Sequence, residues 1–209
     1  MKIRYFVLIN NIFLLSTFFF CTTGFGATSI TANMTVDDNF DLYLSTDDTQ
    51  VGTYVGSGSI VLDSWTTAST FTFNLTPGIT NYIHIVGWDI YRTKAALLGE
   101  FSLSDSSFFF DNGTQNLLTD STNWNISDVG FGQSYYAPDA IALNDGSNWP
   151  VISGISSNAY WIWSNQGLDL YPAQRYFSTQ ITPIPVPSGI ILGGIGAGFA
   201  GWLRRRRTI

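Results

Sequence analysis

The chain has 209 residues and a formal net charge of −6, and this charge is unevenly distributed. Residues 27–183 contain all fifteen acidic residues but only three basic ones, Arg92, Lys94 and Arg175, so this segment carries a net charge of −12. Nucleic acids and anionic membrane surfaces bind basic patches, so the composition argues against either as a partner of this segment.

Residues 1–26 have the features of a secretory signal peptide. Lys2 and Arg4 precede an apolar run, and Gly24 and Gly26 supply small residues for cleavage. The single cysteine, Cys21, lies in this segment behind three phenylalanines, whereas a lipoprotein signal has small residues before its cysteine. The mature protein is therefore predicted to be exported and to contain neither a disulfide nor a thiol.

Residues 27–183 are predicted to form one all-β domain. Short runs rich in Thr, Tyr, Phe, Val and Ile alternate with clusters of Asp, Asn, Gly and Ser, which is typical of a sandwich or barrel. The predicted strands are Ile30–Val36, Phe40–Ser45, Gly52–Val55, Thr70–Leu75, Asn81–Trp88, Ala95–Ser102, Phe108–Phe110, Trp124–Ser127, Ala159–Trp163 and Tyr176–Ile181. The segment from Ser127 to Gly154 is predicted as long loops with at most one edge strand.

Several segments in this order resemble a galactose-binding-like jelly roll. An acidic turn precedes the strand Phe40–Leu44, a Val51-Gly52 hairpin follows, and Trp65 precedes the next strand. Later segments continue the resemblance: Leu75-Thr76-Pro77-Gly78, the strand Tyr82–Gly87, Ala159-Tyr160-Trp161-Ile162-Trp163, and Tyr176-Phe177, where Ser178 replaces the usual arginine. The resemblance implies a jelly-roll β-sandwich, but a fold of this kind hosts many functions.

The residues do not form a recognisable catalytic motif, so the protein is predicted not to be an enzyme. His84 is the only histidine, and it shares a strand face with Tyr82 and Val86, which favours a packed or half-exposed structural role. No serine lies in a Gly-x-Ser-x-Gly context, and Glu100 is the only glutamate. Zinc ligands are also too few.

Two kinds of binding site stay open. Calcium takes oxygen ligands from loops, and the cluster Asp37, Asp38 and Asn39 is a candidate, although turn formation is the preferred explanation of such residues. Sugars stack on exposed aromatic rings, and loop residues Tyr135, Tyr136 and Trp149 are the candidates predicted to be exposed. No resident cofactor is expected apart from this possible Ca²⁺.

Residues 184–209 form a tripartite tail. Pro185-Val186-Pro187 is followed by an apolar run from Ser188 to Leu203 and then by the cluster Arg204, Arg205, Arg206 and Arg207. An apolar run ended by arginines predicts a short transmembrane helix with a cytoplasmic C-terminus. A simple membrane anchor is the alternative interpretation.

The order and position of these three parts resemble the PEP-CTERM sorting signal of exported bacterial proteins, with Val186 in place of the usual glutamate. The resemblance implies recognition by an exosortase-type membrane enzyme, followed by a cell-surface or extracellular location. Together these features predict an envelope or matrix protein that binds carbohydrate or exopolysaccharide. The alternative is a structural surface protein without a specific small ligand.

Overall fold

The computed structural model describes residues 27–58, 64–91, 94–164 and 173–185, together with Gly194. The described chain contains twelve β-strands and a short 3₁₀ helix, Ser64–Thr66. The strands are β1 (Ser29–Asp37), β2 (Asn39–Ser45), β3 (Thr53–Ser57), β4 (Ser69–Asn74), β5 (Asn81–Asp89), β6 (Ala96–Leu103), β7 (Phe108–Phe110), β8 (Asn116–Leu118), β9 (Asn125–Ser127), β10 (Asp139–Leu143), β11 (Tyr160–Trp163) and β12 (Ala173–Pro183). The predicted all-β class is confirmed.

The strands form two antiparallel sheets of six strands each. The first sheet has the order β10-β11-β6-β1-β4, and β8 pairs with β6. The second sheet has the order β3-β2-β5-β12-β7, and β9 pairs with β12. Strands β1 and β2 are consecutive in sequence but belong to different sheets, so the chain crosses from one sheet to the other near Asp38.

The two sheets pack face to face around one main hydrophobic core. Alternate residues along each strand point inward, so Ile30, Ala32 and Met34 of β1 meet Leu42 and Ile85 of the second sheet in this core. Buried rings such as Phe101, Trp124 and Phe177 fill the space between the sheets. This arrangement is a β-sandwich, as the alternating pattern predicts.

A second, smaller core lies on the outer side of the first sheet. It is formed by Ala96, Leu98, Ala142, Trp149, Ile152, Ile155, Ala159 and Trp161. The long connection between β10 and β11 supplies four of these eight residues, and the buried Asn144 fastens it by donating to the carbonyls of Ile152 and Ile155. The loop is therefore a packed part of the domain.

Every strand that the sequence predicts is present, with ends shifted by a few residues. The edge strand allowed between Ser127 and Gly154 corresponds to β10, which lies at the edge of the first sheet. Strand β8 is not predicted. The predicted signal peptide, 1–26, and nearly all of the predicted transmembrane tail lie outside the described residues. Among the residues described, none belongs to a helix long and apolar enough to cross a membrane.

Candidate functional site

A polar cluster around Asp48 lies on the outer face of the second sheet. Asp48 Oδ1 accepts hydrogen bonds from the Ser178 hydroxyl at 2.7 Å and from the Tyr135 hydroxyl at 2.9 Å. His84 Nε2 lies 3.1 Å from the same oxygen. Because His84 on β5 is directly opposite Ser178 on β12, the sheet register places both under the β2–β3 loop that carries Asp48.

The histidine in this cluster is fully enclosed. His84 is 0% exposed, and the Phe131 ring stacks on it with 3.9 Å between ring centroids and 7° between planes. Its second nitrogen, Nδ1, faces the Val51 carbonyl oxygen at 3.2 Å. Both ring nitrogens therefore face oxygen atoms of the β2–β3 loop, while the stacked Phe131 belongs to the loop after β9. His84 thus connects both loops to the sheet. The predicted structural role of His84 agrees with this placement.

The cluster contains serine, histidine and aspartate, but it is not arranged as a catalytic triad. In a triad the serine hydroxyl contacts the histidine, and the histidine contacts the carboxylate. Here the Ser178 hydroxyl donates to Asp48 instead. Ser178 is 1% exposed and His84 is fully buried, so a substrate has no access to either side chain.

The tyrosines predicted as ligand-binding residues lie close to this cluster and are half-buried. Tyr135 donates to Asp48 and accepts a hydrogen bond from the Gly132 amide at 2.9 Å. Burial raises the pKa of the Tyr135 hydroxyl to about 12. The Tyr136 hydroxyl lies 2.6 Å from both Asp128 Oδ1 and Ser164 Oγ. Both hydroxyls are thus occupied by contacts within the domain.

The prediction that Trp149 is exposed is wrong, because this ring is only 5% exposed. It stacks on Trp161 with 5.0 Å between centroids, and its Nε1 donates to Asp37 Oδ2 at 3.0 Å. The Lys94 ammonium lies 5.3 Å from the ring centroid. Trp149 belongs to the smaller core, so it is not available as a sugar-stacking surface.

The carboxylates of the calcium candidate already have protein partners. Asp37 binds Trp149, and Asp38 Oδ2 accepts the Ile90 amide at 2.7 Å and the Tyr91 amide at 3.0 Å. Burial raises the pKa of Asp37 to about 7, which weakens it as a metal ligand. In the described part of the chain, no group of three or more His, Cys, Asp or Glu side chains is placed to hold a metal ion. Calcium binding at Asp37, Asp38 and Asn39 stays a prediction.

An exposed aromatic surface lies at the β2–β3 end of the second sheet, and the sequence did not single it out. Tyr54 on β3 is 55% exposed and lies directly opposite Tyr43 on β2. Their rings contact edge to face, with 5.6 Å between centroids. The Tyr43 hydroxyl donates to Asp41 Oδ2 at 3.1 Å. We call these three residues the tyrosine face.

Local sequence explains the orientation of the tyrosine face. Phe40, Leu42 and Leu44 alternate along β2 and point into the core, so Asp41 and Tyr43 must point outward. Burial, followed by the hydrogen bond to Asp41, raises the pKa of the Tyr43 hydroxyl. The same alternation in the sequence was sufficient to place these two side chains on the solvent side.

A small depression lies between Trp65, Phe40 and Asp38 at the edge of the sandwich. Its volume is about 110 Å³. Pockets that bind small organic ligands have volumes of roughly 300–1,000 Å³. This cleft is therefore too small to enclose a sugar.

Of the predicted sorting residues, only Pro185 lies within the described chain, where it is exposed after β12. Val186, Pro187 and the cluster Arg204, Arg205, Arg206 and Arg207 lie outside the described residues. Comparison with known proteins adds no identification: no family model, no curated protein and no solved structure matches the chain.

Proposed function

We propose that the protein is an exported bacterial envelope protein whose jelly-roll domain, of the galactose-binding-like type, binds extracellular polysaccharide through the tyrosine face. The observation that supports this proposal most directly is the exposure of Tyr54 beside Tyr43 and Asp41. In this proposal the domain presents the tyrosine face for binding and has no catalytic role.

The chemistry of the tyrosine face suits a sugar. The apolar face of a pyranose ring stacks on an exposed aromatic ring, and polar groups at the margin fix the hydroxyl groups. Tyr54 supplies the exposed ring, while Asp41 and the Tyr43 hydroxyl supply hydrogen-bonding groups within 3.1 Å of each other. These side chains project from paired strands, which hold them in fixed relative positions.

The charge of the domain narrows the class of polysaccharide. The segment 27–183 has a net charge of −12, and the tyrosine face itself includes the carboxylate of Asp41. An anionic polymer would be repelled by this field. We therefore propose a neutral polysaccharide, whose hydroxyl groups donate to Asp41.

The test is a glycan array and titration with neutral polysaccharides, using the exported protein and two variants. Replacing Tyr54 with alanine should lower the affinity about 5- to 30-fold, since loss of one stacking contact costs on the order of 1–2 kcal/mol. Tyr91 is 51% exposed but lies outside the tyrosine face, so Tyr91→Ala is the matched control and should bind normally. Equal binding by wild type and Tyr54→Ala would reject the tyrosine face as the site.

The second candidate function is a structural surface or matrix protein with no specific small ligand. The observation in its favour is that the polar groups of Asp48, Tyr135 and Tyr136 form hydrogen bonds within the domain. Absence of binding to every glycan on the array would favour this function.

Residues 184–209 are proposed to act as a PEP-CTERM-like sorting signal. The arrangement of Pro185-Val186-Pro187, an apolar run and four arginines supports recognition by an exosortase-type enzyme. The protein would first be held in the membrane by the apolar segment and would then reach the cell surface or the extracellular matrix after processing.

A further inference from the structure

Strand β4 forms one edge of the first sheet, and half of its backbone groups point away from the sheet. The Leu75 amide donates to the Thr28 carbonyl at 2.8 Å, so Leu75 belongs to a hydrogen-bonded pair. In an antiparallel ladder, such pairs alternate with pairs that do not exchange hydrogen bonds. Phe73 and Phe71 therefore bond to β1, whereas the amide and carbonyl groups of Thr72 and Thr70 point outward. Among the residues described, no strand pairs with this outer side of β4.

The sequence of β4 lacks the usual protection of an exposed edge. Its six residues, Ser69–Asn74, include no charge, no proline and no glycine, and they alternate threonine with phenylalanine. Native edges are normally protected by charges, proline, bulges or short length, because an open edge pairs readily with another strand. A short uncharged segment of β-branched and aromatic residues has the composition that favours such pairing.

The same side of the sandwich also presents the edge of the second sheet. Strand β3, Thr53–Ser57, is likewise uncharged, and Gly56 lies against the Phe71 ring of β4. The opposite side differs. There β10 begins with Asp139 and has a shift in register against β11, and β7 is only three residues long. Strand β3 has a register shift against β2 as well, so among the described edge strands β4 alone has no charge, no proline, no register shift and more than three residues.

We propose that β4 is an interaction surface for a second copy of this chain, whose own β4 pairs with it in antiparallel orientation. Two domains that each carry −12 repel one another, but the strands β3 and β4 themselves carry no charge, so local repulsion is weak where two copies approach along these strands. Identical strands pair antiparallel about a two-fold axis, which gives a self-complementary interface. The first sheets of the two copies then form one continuous sheet.

This pairing uses the backbone amide and carbonyl groups of β4 that point away from the sheet in the single domain. The outward amide and carbonyl groups of Thr70 and Thr72 bond to the second copy, and the half-buried rings of Phe71 and Phe73 gain cover from it. Because Thr72 lies near the middle of β4, the two-fold axis places it close to residue 72 of the second copy. Directly opposed residues in a hydrogen-bonded antiparallel pair have Cα atoms about 5.5 Å apart, a spacing that a disulfide can bridge.

Site-specific cross-linking tests this arrangement on the full-length chain in mild detergent. With Cys21 replaced by serine, Thr72→Cys supplies the sole cysteine, and mild oxidation should convert most of the protein to a covalent dimer. Ser147→Cys in the same background is the matched control, since Ser147 is exposed in the β10–β11 loop at the other side of the first sheet. It should form several-fold less dimer.

Substitution of Thr70 tests whether backbone pairing between two β4 strands causes the cross-linking. Thr70→Pro removes an outward amide donor, which an edge strand tolerates, and should abolish cross-linking of the Thr72→Cys chain. Thr70→Val keeps the donor and should leave cross-linking unchanged. Cross-linking at residue 72 that does not exceed the Ser147→Cys level overturns the proposal, and so does cross-linking that survives Thr70→Pro in a folded protein. If Thr70→Pro does not fold, as judged by circular dichroism, the comparison of the two cysteine positions decides.

Discussion

Trp149 donates its indole hydrogen to the Asp37 carboxylate across 3.0 Å, and this bond joins the smaller core to the end of β1. The carboxylate is buried, and this burial is the main reason that its pKa is raised from 3.8 to about 7. The nearby carboxyl groups of Asp38 and Asp89 raise it further, while the Trp149 bond lowers it.

This shift predicts a pH dependence of stability. The folded protein holds the Asp37 proton more tightly than the unfolded chain, so folding is favoured where this carboxyl is protonated. The contribution of Asp37 is fully present below pH 3.8 and is lost as the pH rises towards about 7. Asp37→Asn mimics the protonated side chain, so at pH 7.5 it should melt on the order of 5 °C above wild type. At pH 4 the two proteins should melt together.

Thermal melts across this pH range, followed by circular dichroism, measure the effect. Asp145→Asn is the control, because Asp145 is exposed and hydrogen bonds from Ser147 lower its pKa. The raised pKa would be contradicted if Asp37→Asn were less stable than wild type at pH 7.5.

Asp48 should be the most sensitive position on the outer face of the second sheet. Replacing it with alanine leaves Ser178, Tyr135 and His84 without their shared acceptor. Loss of a shared charged acceptor should lower the free energy of unfolding by about 2–4 kcal/mol in urea titrations. Limited proteolysis should also cut the 128–137 loop faster, since Tyr135 no longer holds it. Asp47→Ala, at the exposed neighbouring position, should change stability far less.

Gly56 should not accept a side chain. A methyl group there would overlap the Phe71 ring across the edge of the sandwich. Gly56→Ala should therefore lower the free energy of unfolding by about 1–3 kcal/mol. In the Phe71→Leu background the same substitution should cost less, and a double-mutant cycle measures the difference. Equal costs in both backgrounds would show that this contact is not the cause.

The tail allows a test of sorting that is independent of the domain. Replacing Pro185 and Pro187 with alanine keeps the apolar run, so membrane insertion should continue while processing stops. Immunoblots of cell fractions should then show full-length protein accumulating in the membrane. Replacing Arg204–Arg207 with neutral residues should instead weaken retention of the C-terminus in the cytoplasm. Release of a shortened product from the proline variant, as from wild type, would reject the sorting signal.

The strands were predictable because their side-chain alternation is local. The pattern of Phe40, Leu42 and Leu44 is enough to define β2 and its buried face. Strand β8, Asn116–Leu118, was not predicted because its three residues include no β-branched or aromatic side chain, whereas the equally short β7 consists of three phenylalanines. The exposure of Trp149 was predicted wrongly because the preceding residues, Asp145–Asn148, are typical of a solvent loop. Its burial depends on Trp161 and Asp37, which are distant in sequence.

The candidate sites, too, contain some residues that the local sequence pattern predicts and others that depend on contacts between distant segments. The outward position of Tyr43 and Asp41 follows from the β2 pattern alone, whereas the exposure of Tyr54 depends on β3 being an edge strand. The sequence places His84 on the same face of β5 as Tyr82, and in the structure the two ring centroids are 6.0 Å apart. The sequence does not identify Asp48 as the partner of His84, because that contact joins a loop to a strand 36 residues away. Loop positions have no periodicity from which such a contact can be predicted.

The position of β12 determines how the domain responds to mechanical load. This strand is the last element before the tail, and it is bonded to β5 on one side and to β7 and β9 on the other. Tension applied beyond Pro183 therefore enters the middle of the second sheet. The ladder with β5 runs from Ala173 to Ile181, so a pull along the strand loads these hydrogen bonds in shear, and they must yield together. If the domain is held by its C-terminal end, β12 is therefore the strand whose hydrogen bonds resist its extraction.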